Sequence, residues 1–344
     1  MARQFAMNSL RRPRAILKWL ARAANRKRGT FAFTGSNMHY TAVASFFMLD
    51  PALAGILLLI MGVIVILPLS SDPLRAIPRV RMRIWPLEHS ERSLLRIVSP
   101  FLNPMTWIVV ALALWKSTSW DIVALAAGIV AAGFMTSAIG HGGGVSPWRH
   151  LPRFPRPLNQ LIRKNLREML STLDFCCGAL IAVACLAWRI AGMLPPAAFL
   201  PLTAVAMLAI STCALTLFGL DGAAGMTRYR LTPLRGWQIL LAKDVAYMSM
   251  ALVVAAPLSI TGALGAALIA LAVGHKASIR SPRAQLRWRF QTGPSFGDAL
   301  TQIIPMIMAG AAVVYESPLV LLLCIAAWAA STWYFGREID RTWH

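Results

Sequence analysis

The side chains with chemistry to offer in this chain are few, and the most regular of them are basic. Residues 81–87 read RMRIWPL and residues 228–234 read RYRLTPL. Both follow R-x-R-[IL]-x-P-L, supplied by Arg81, Arg83, Pro86 and Leu87 and by Arg228, Arg230, Pro233 and Leu234. After eight intervening residues, each places a basic residue, Arg96 or Lys243. Guanidiniums are planar forks suited to carboxylates, and Pro presets the first turn of a helix. In the second copy Leu234, Trp237, Leu240 and Leu241 then recur at helical spacing. Such a segment either docks into a partner's groove or anchors at the membrane interface through Trp and Arg.

Other chemistry finds little support. HGGGVSPWRH (141–150) has the glycines of an oxyanion loop, but no G-x-S-x-G nucleophile elbow accompanies it, so it reads as a flexible linker. No G-x-x-x-x-G-K-[ST] occurs, so the chain does not bind ATP through a P-loop. Cys176, Cys177, Cys185, Cys213 and Cys324 all lie in apolar stretches without a CxxC or a Cys/His cluster. They read as small packing residues, and neither a metal nor a cofactor is expected. Asp50 and Glu316 fall near outer turns, and Asp174, Asp244 and Asp298 at inner ends, so no acidic residue is expected at mid-span. Ion-coupled transporters use buried ionisable groups as relays. Their expected absence favours an ATP-driven or passive pathway. Arg189, close to the outer end of its span, either reaches lipid headgroups or binds an anionic substrate.

These segments must be held by membrane helices. The chain has 344 residues, 57% hydrophobic and 14% charged, against about 25% charged in soluble domains. Of its 34 Lys and Arg, only Lys116 and Arg189 fall on the outer side of the topology, as positive-inside insertion requires. The net charge of +21 is therefore not a nucleic-acid signature, and the expected non-protein partners are membrane lipids. Apolar stretches run 31–70, 104–140, 173–220, 245–274 and 299–336. A span takes about 20 residues, so four of them read as helical hairpins. The fourth has only 30 residues and is either two short spans or one tilted helix. A single span there puts the five basic residues of 275–298 outside, so two spans are expected.

The expected fold is thus all-α, with about ten transmembrane helices in five hairpins and both termini cytoplasmic. Residues 1–30 form a basic amphipathic helix, with Leu10, Leu17 and Leu20 at helical spacing. Residues 31–145 are the first transmembrane half. Residues 146–172 are a cytoplasmic linker ending in an interfacial helix, and 173–344 are the second half. In that interfacial helix Leu158, Leu161, Ile162, Leu166, Met169, Leu170 and Leu173 share one face, with Arg163, Lys164, Arg167 and Glu168 off it. The two R-x-R-x-x-P-L segments are offset by 147 residues, and each half runs surface helix, hairpin, basic segment, hairpin. Repeated halves of this kind are typical of transporters.

At this point the chain resembles a known group. LTLFGLDGAAGMTRYRLTPLRGWQILLAKDVAYM (215–248) is similar to the signature of membrane permease subunits of bacterial type-two ATP-binding-cassette (ABC) exporters. That signature runs span, FG-D-G, short arm, P-x-x-x-x-x-I-L-L-x-K, next span. Phe218, Gly219, Asp221, Gly222, Pro233, Ile239, Leu240, Leu241 and Lys243 match it. VGHKASIRSP (273–282) resembles the G-N-x-x-S-x-x-x-P element that follows, with His275 in place of Asn, and 83–104 resembles a first-half counterpart. The resemblance implies a bacterial inner-membrane export subunit that is not itself an enzyme and couples to a separate ABC ATPase subunit. It implies ATPase contact at Pro233 to Lys243, and a second contact at Pro86 to Arg96. It also implies a working unit that is either a homodimer or one pseudo-dimeric chain. Two features depart from the group: four expected spans in the first half instead of six, and no large outer loop. Two other classes stay open: a membrane enzyme on lipid-linked substrates, which needs clustered His, Asp or Glu at one face, and a non-transporting scaffold subunit.

Overall fold

A computed structural model describes residues 158–192, 194–221, 228–231, 233–280 and 296–343, with short pieces at 15–19, 22, 88, 91, 94–95 and 98. The chain divides into two compact units, Met1–Ala32 with Pro51–Gly143 and Phe33–Asp50 with Gly144–His344. In the first unit residues 15–19 are helical, as are 91, 94, 95 and 98. The Glu91 carboxylate accepts from the Glu88 backbone N–H at 3.0 Å, a cap three residues ahead of it. The expected hairpins at 31–70 and 104–140 lie outside the described residues.

Among its described residues the second unit has seven helices of more than ten residues. They are α1 (Asn159–Met169), α2 (Leu173–Ile190), α3 (Phe199–Leu215), α4 (Gly236–Ala255), α5 (Ile260–Arg280), α6 (Phe296–Tyr315) and α7 (Val320–Trp343). No strand occurs among the described residues. Among the described residues, five helical segments are long and apolar enough to cross a membrane, and six if the bent α1–α2 pair counts as one span. The chain is all-helical where described, and these apolar helices mark it as membrane-embedded.

Turn residues set the hairpins. Between α2 and α3, Gly192 takes φ 69°, a left-handed conformation that costs glycine nothing, and Pro196 opens a short 3-10 turn. Between α4 and α5, Pro257 ends one helix and Ser259 starts the next, its hydroxyl accepting from Gly262 N–H at 3.3 Å. The 245–274 stretch is therefore two helices, as its basic flanks require. Between α1 and α2 the axis bends by 79°. There the hydroxyls of Ser171 and Thr172 donate to the carbonyls of Glu168 and Met169, and Thr172 also caps α2 at Phe175 N–H.

Small residues bring the helices together, since helix association in lipid rests on close packing. A Cβ on Gly274 would lie 2.5 Å from the Ala214 carbonyl oxygen, joining α5 to α3. One on Gly310 would lie 3.0 Å from the Gly262 carbonyl oxygen, joining α6 to α5. Helix α3 is central, with 72% of its most apolar window buried, whereas α7 buries 17% and turns most of its surface outward.

Two expectations need correction. Ile162, Leu166 and Met169 of α1 are buried as the pattern requires, but so are Asn165 and Glu168. Helix α1 packs on α4, and this contact draws in its polar side chains along with the apolar face. The second correction concerns the acidic residues. Helix α4 starts at Gly236, ahead of the apolar stretch, so Lys243 and Asp244 lie two turns inside a candidate span and are fully buried. The expectation of no buried ionisable group inside a span therefore fails.

Candidate functional site

One end of the second unit gathers the termini of α2 to α7 that lie beside basic sequence, and its polar side chains fall into two buried networks. The first centres on Asp221, in the 3-10 turn Gly219–Asp221 after α3. One of its oxygens accepts from Lys164 of α1 and, at 2.9 Å, from the Tyr229 hydroxyl; the other accepts from Lys243 of α4. The Lys243 ammonium has three N–H groups, and all are taken: by Asp221, by the Leu217 carbonyl at 2.8 Å and by Asn165 Oδ1 at 3.1 Å. It also lies 4.7 Å from the centre of the Phe218 ring. Burial pushes the Asp221 carboxyl up, but the Lys243 and Lys164 ammoniums outweigh it and hold the group below the usual carboxylate value. Burial, reinforced by the Asp221 charge, raises the Tyr229 phenol, so it stays a donor.

This network brings together members of two sequence elements that lie 22 residues apart, Asp221 of FG-D-G and Lys243 of I-L-L-x-K. Phe218 and Gly219 are buried beside them, and Gly222 lies outside the described residues. Pattern reading singled out neither Lys164 nor Tyr229 as partners. Tyr229 occupies the variable position of R-x-R, and the polar face of α1 read as solvated, so nothing local marked them.

Between residues 228 and 237 most of the described side chains face outward. Leu231 is 81% exposed, and Arg228, Arg230, Pro233 and Arg235 are exposed too. Trp237, in the first turn of α4, is 40% exposed, and Leu234 is half-buried. Leu240 and Lys243 are fully buried and Leu241 half-buried, because they belong to α4 itself rather than to a separate surface helix. The first-half residues Arg81, Arg83, Pro86, Leu87 and Arg96 lie outside the described residues. Helix α4 is held from below by α7. Asp340 accepts from the Gly236 N–H at 2.6 Å, placing a carboxylate on the positive end of the helix. A Cβ on Gly336 would lie 2.7 Å from the Trp237 backbone, so α7 crosses α4 at contact distance.

The second network runs through the neighbouring residue. Asp244 accepts from Trp328 Nε1 at 2.8 Å and Thr332 Oγ1 at 3.2 Å, and lies 3.0 Å from His275 Nε2. His275 Nδ1 is 2.9 Å from Ser331 Oγ. Ser, His and Asp in a row suggest acyl transfer. However, the Ser331 hydroxyl donates to the Ala272 carbonyl at 2.7 Å and so stands as acceptor towards His275. Asp244 and His275 are also fully buried. The group ties α4, α5 and α7 together and has no nucleophile poised for attack. Among the described residues, no group of three His, Cys, Asp or Glu is placed to hold a metal ion.

Fold and site together define an all-helical, membrane-embedded protein with buried ion pairs at its basic end. No protein-family model, curated protein or solved structure matches the chain.

Proposed function

We propose that the chain is the membrane-spanning permease of an ATP-driven exporter in a bacterial inner membrane. It forms the substrate path and is gripped by a separate ABC ATPase subunit at 228–237. In this reading the chain has ten spans in two repeated halves, with both termini cytoplasmic, and works as a homodimer or as one pseudo-dimeric chain. The observation that carries it is the exposed apolar and basic set Arg228, Arg230, Leu231, Pro233, Arg235 and Trp237, held by the buried Asp221–Lys243 pair and the half-buried Gly236–Asp340 bond. A segment pushed by a motor needs an apolar grip outside and rigid attachment inside. Leu231 and Trp237 supply the grip, and the ion pair and the α7 cap supply the attachment.

The buried pairs Asp221–Lys243 and Asp244–His275 reopen ion coupling as a rival, since relays are built from such groups. Every polar atom of Asp244 and of the Lys243 ammonium already has a protein partner, which favours fixed struts over a relay. Affinity purification of the full-length chain from its native membrane tests the reading. The expected result is co-purification of a P-loop ATPase, lost on Leu231→Asp or Trp237→Ala and kept on Leu322→Ala, an exposed residue of α7. Association that is absent, or indifferent to Leu231 and Trp237, rules the reading out.

A further inference from the structure

The opposite end of the second unit has one basic side chain among its described residues, Arg189, in the last turn of α2. Its guanidinium is fixed in place. It donates to the Pro257 carbonyl at 3.0 Å, in the α4–α5 turn, and lies 5.2 Å from the centre of the Phe199 ring. Only one of its five N–H groups is used in that bond, and the side chain is exposed. Beneath it runs an apolar groove of about 600 Å³ between α2 and α4, lined by Ala179, Val183, Leu186, Ile190, Val253 and Pro257. A second cleft, past Phe199 and Leu200 towards Val314 and Tyr315, meets the same arginine.

The dimensions and the charge point to one kind of occupant. From Ala179 to Arg189 a helix rises about 15 Å, which is about half the thickness of the hydrocarbon core. The groove therefore has the depth of one leaflet, is apolar throughout, and ends at a held cation at headgroup level. We infer that it seats an acyl chain of an anionic phospholipid whose phosphate lies on Arg189. A second protein helix needs no cation at that level, whereas a phosphate oxygen accepts the unused N–H groups of Arg189 directly.

The inference does not depend on ATP-driven transport, and the test addresses the groove alone. The full-length chain, carrying p-benzoylphenylalanine in place of Leu186, is reconstituted in vesicles of equal parts phosphatidylglycerol and phosphatidylcholine and irradiated. Phospholipid adducts are expected, with phosphatidylglycerol favoured about fivefold, the preference of one basic residue for an anionic headgroup. Arg189→Gln is expected to bring the ratio to that of the vesicle while total lipid adduct persists, and Arg189→Lys to retain the preference. Cross-links to a second copy or to the first unit of the chain overturn the inference. Lipid adducts at the vesicle ratio with Arg189 present, or a preference untouched by Arg189→Gln, overturn it equally.

Discussion

Asp221 and Lys243 illustrate what a buried charge needs. Each alone costs several kcal/mol to desolvate, and removing one partner of a buried pair typically destabilises by about 3–5 kcal/mol. Lys243→Met is therefore expected to lower stability by about that amount, read from thermal unfolding of the purified chain in detergent. Asp221→Asn combined with Lys243→Met should cost clearly less than the sum of the single changes, because no charge is then stranded. The pH dependence follows from the depressed Asp221 carboxyl. Its contribution is fully present above the unfolded value of 3.8 and is lost as pH falls through the lower folded value. Acid unfolding should show that loss in the parent and not in Asp221→Asn. Tyr247 is the opposite case. It is fully buried in α4, and its hydroxyl has no hydrogen-bond partner among the described residues. Tyr247→Phe removes a desolvated hydroxyl at almost constant shape, so unfolding should be unchanged or slightly harder. A clear loss of stability would reveal a partner for that hydroxyl.

At the scale of elements, the α4–α7 crossing depends on two glycines and one carboxylate. A methyl group on Gly336 meets Trp237 backbone atoms at 2.7 Å, which no side-chain rotation relieves. Gly336→Ala is expected to destabilise by about 1–3 kcal/mol, the usual cost of overpacking, and to increase hydrogen exchange at the start of α4. The hairpin breaks in this unit were legible in the sequence. Pro195 and Pro196, Pro257 and Pro318 interrupt apolar runs just where the helices turn. The start of α4 was not legible. Hydropathy ends a span at Lys243 and Asp244, and only their partners, 22 and 31 residues away in Asp221 and His275, allow the helix to continue through them. The inward side of α1 was hidden for the same reason: Asn165 and Glu168 look solvated until α4 is packed on them. Local patterns report apolar faces well and report charges badly whenever a distant residue neutralises them.

For the molecule as a whole, the question is how a push on an exposed segment reaches the spans. The sequence marked the segment through its Arg and Pro spacing but not its two attachments, since Tyr229 and Asp340 belong to no local pattern. Those attachments separate binding from transmission. Leu231 and Trp237 lie outside the core, so their loss should weaken ATPase association while leaving unfolding within about 0.5 kcal/mol of the parent. An anchoring Trp is commonly worth 2 kcal/mol or more, or roughly thirtyfold in affinity. Asp340 is different. It reaches α4 from α7 through the backbone N–H of buried Gly236. Asp340→Ala is therefore expected to keep the ATPase bound and lose the mechanical link. Hydrogen exchange of the purified complex can separate the two. In the parent, adding ATP should change protection in the last turns of α7, around 333–343; in Asp340→Ala the change should remain near α4 and vanish from α7. If α7 responds to ATP equally without Asp340, motion reaches it by another route, through the Asp244 bonds to Trp328 and Thr332 about two turns deeper in the bundle.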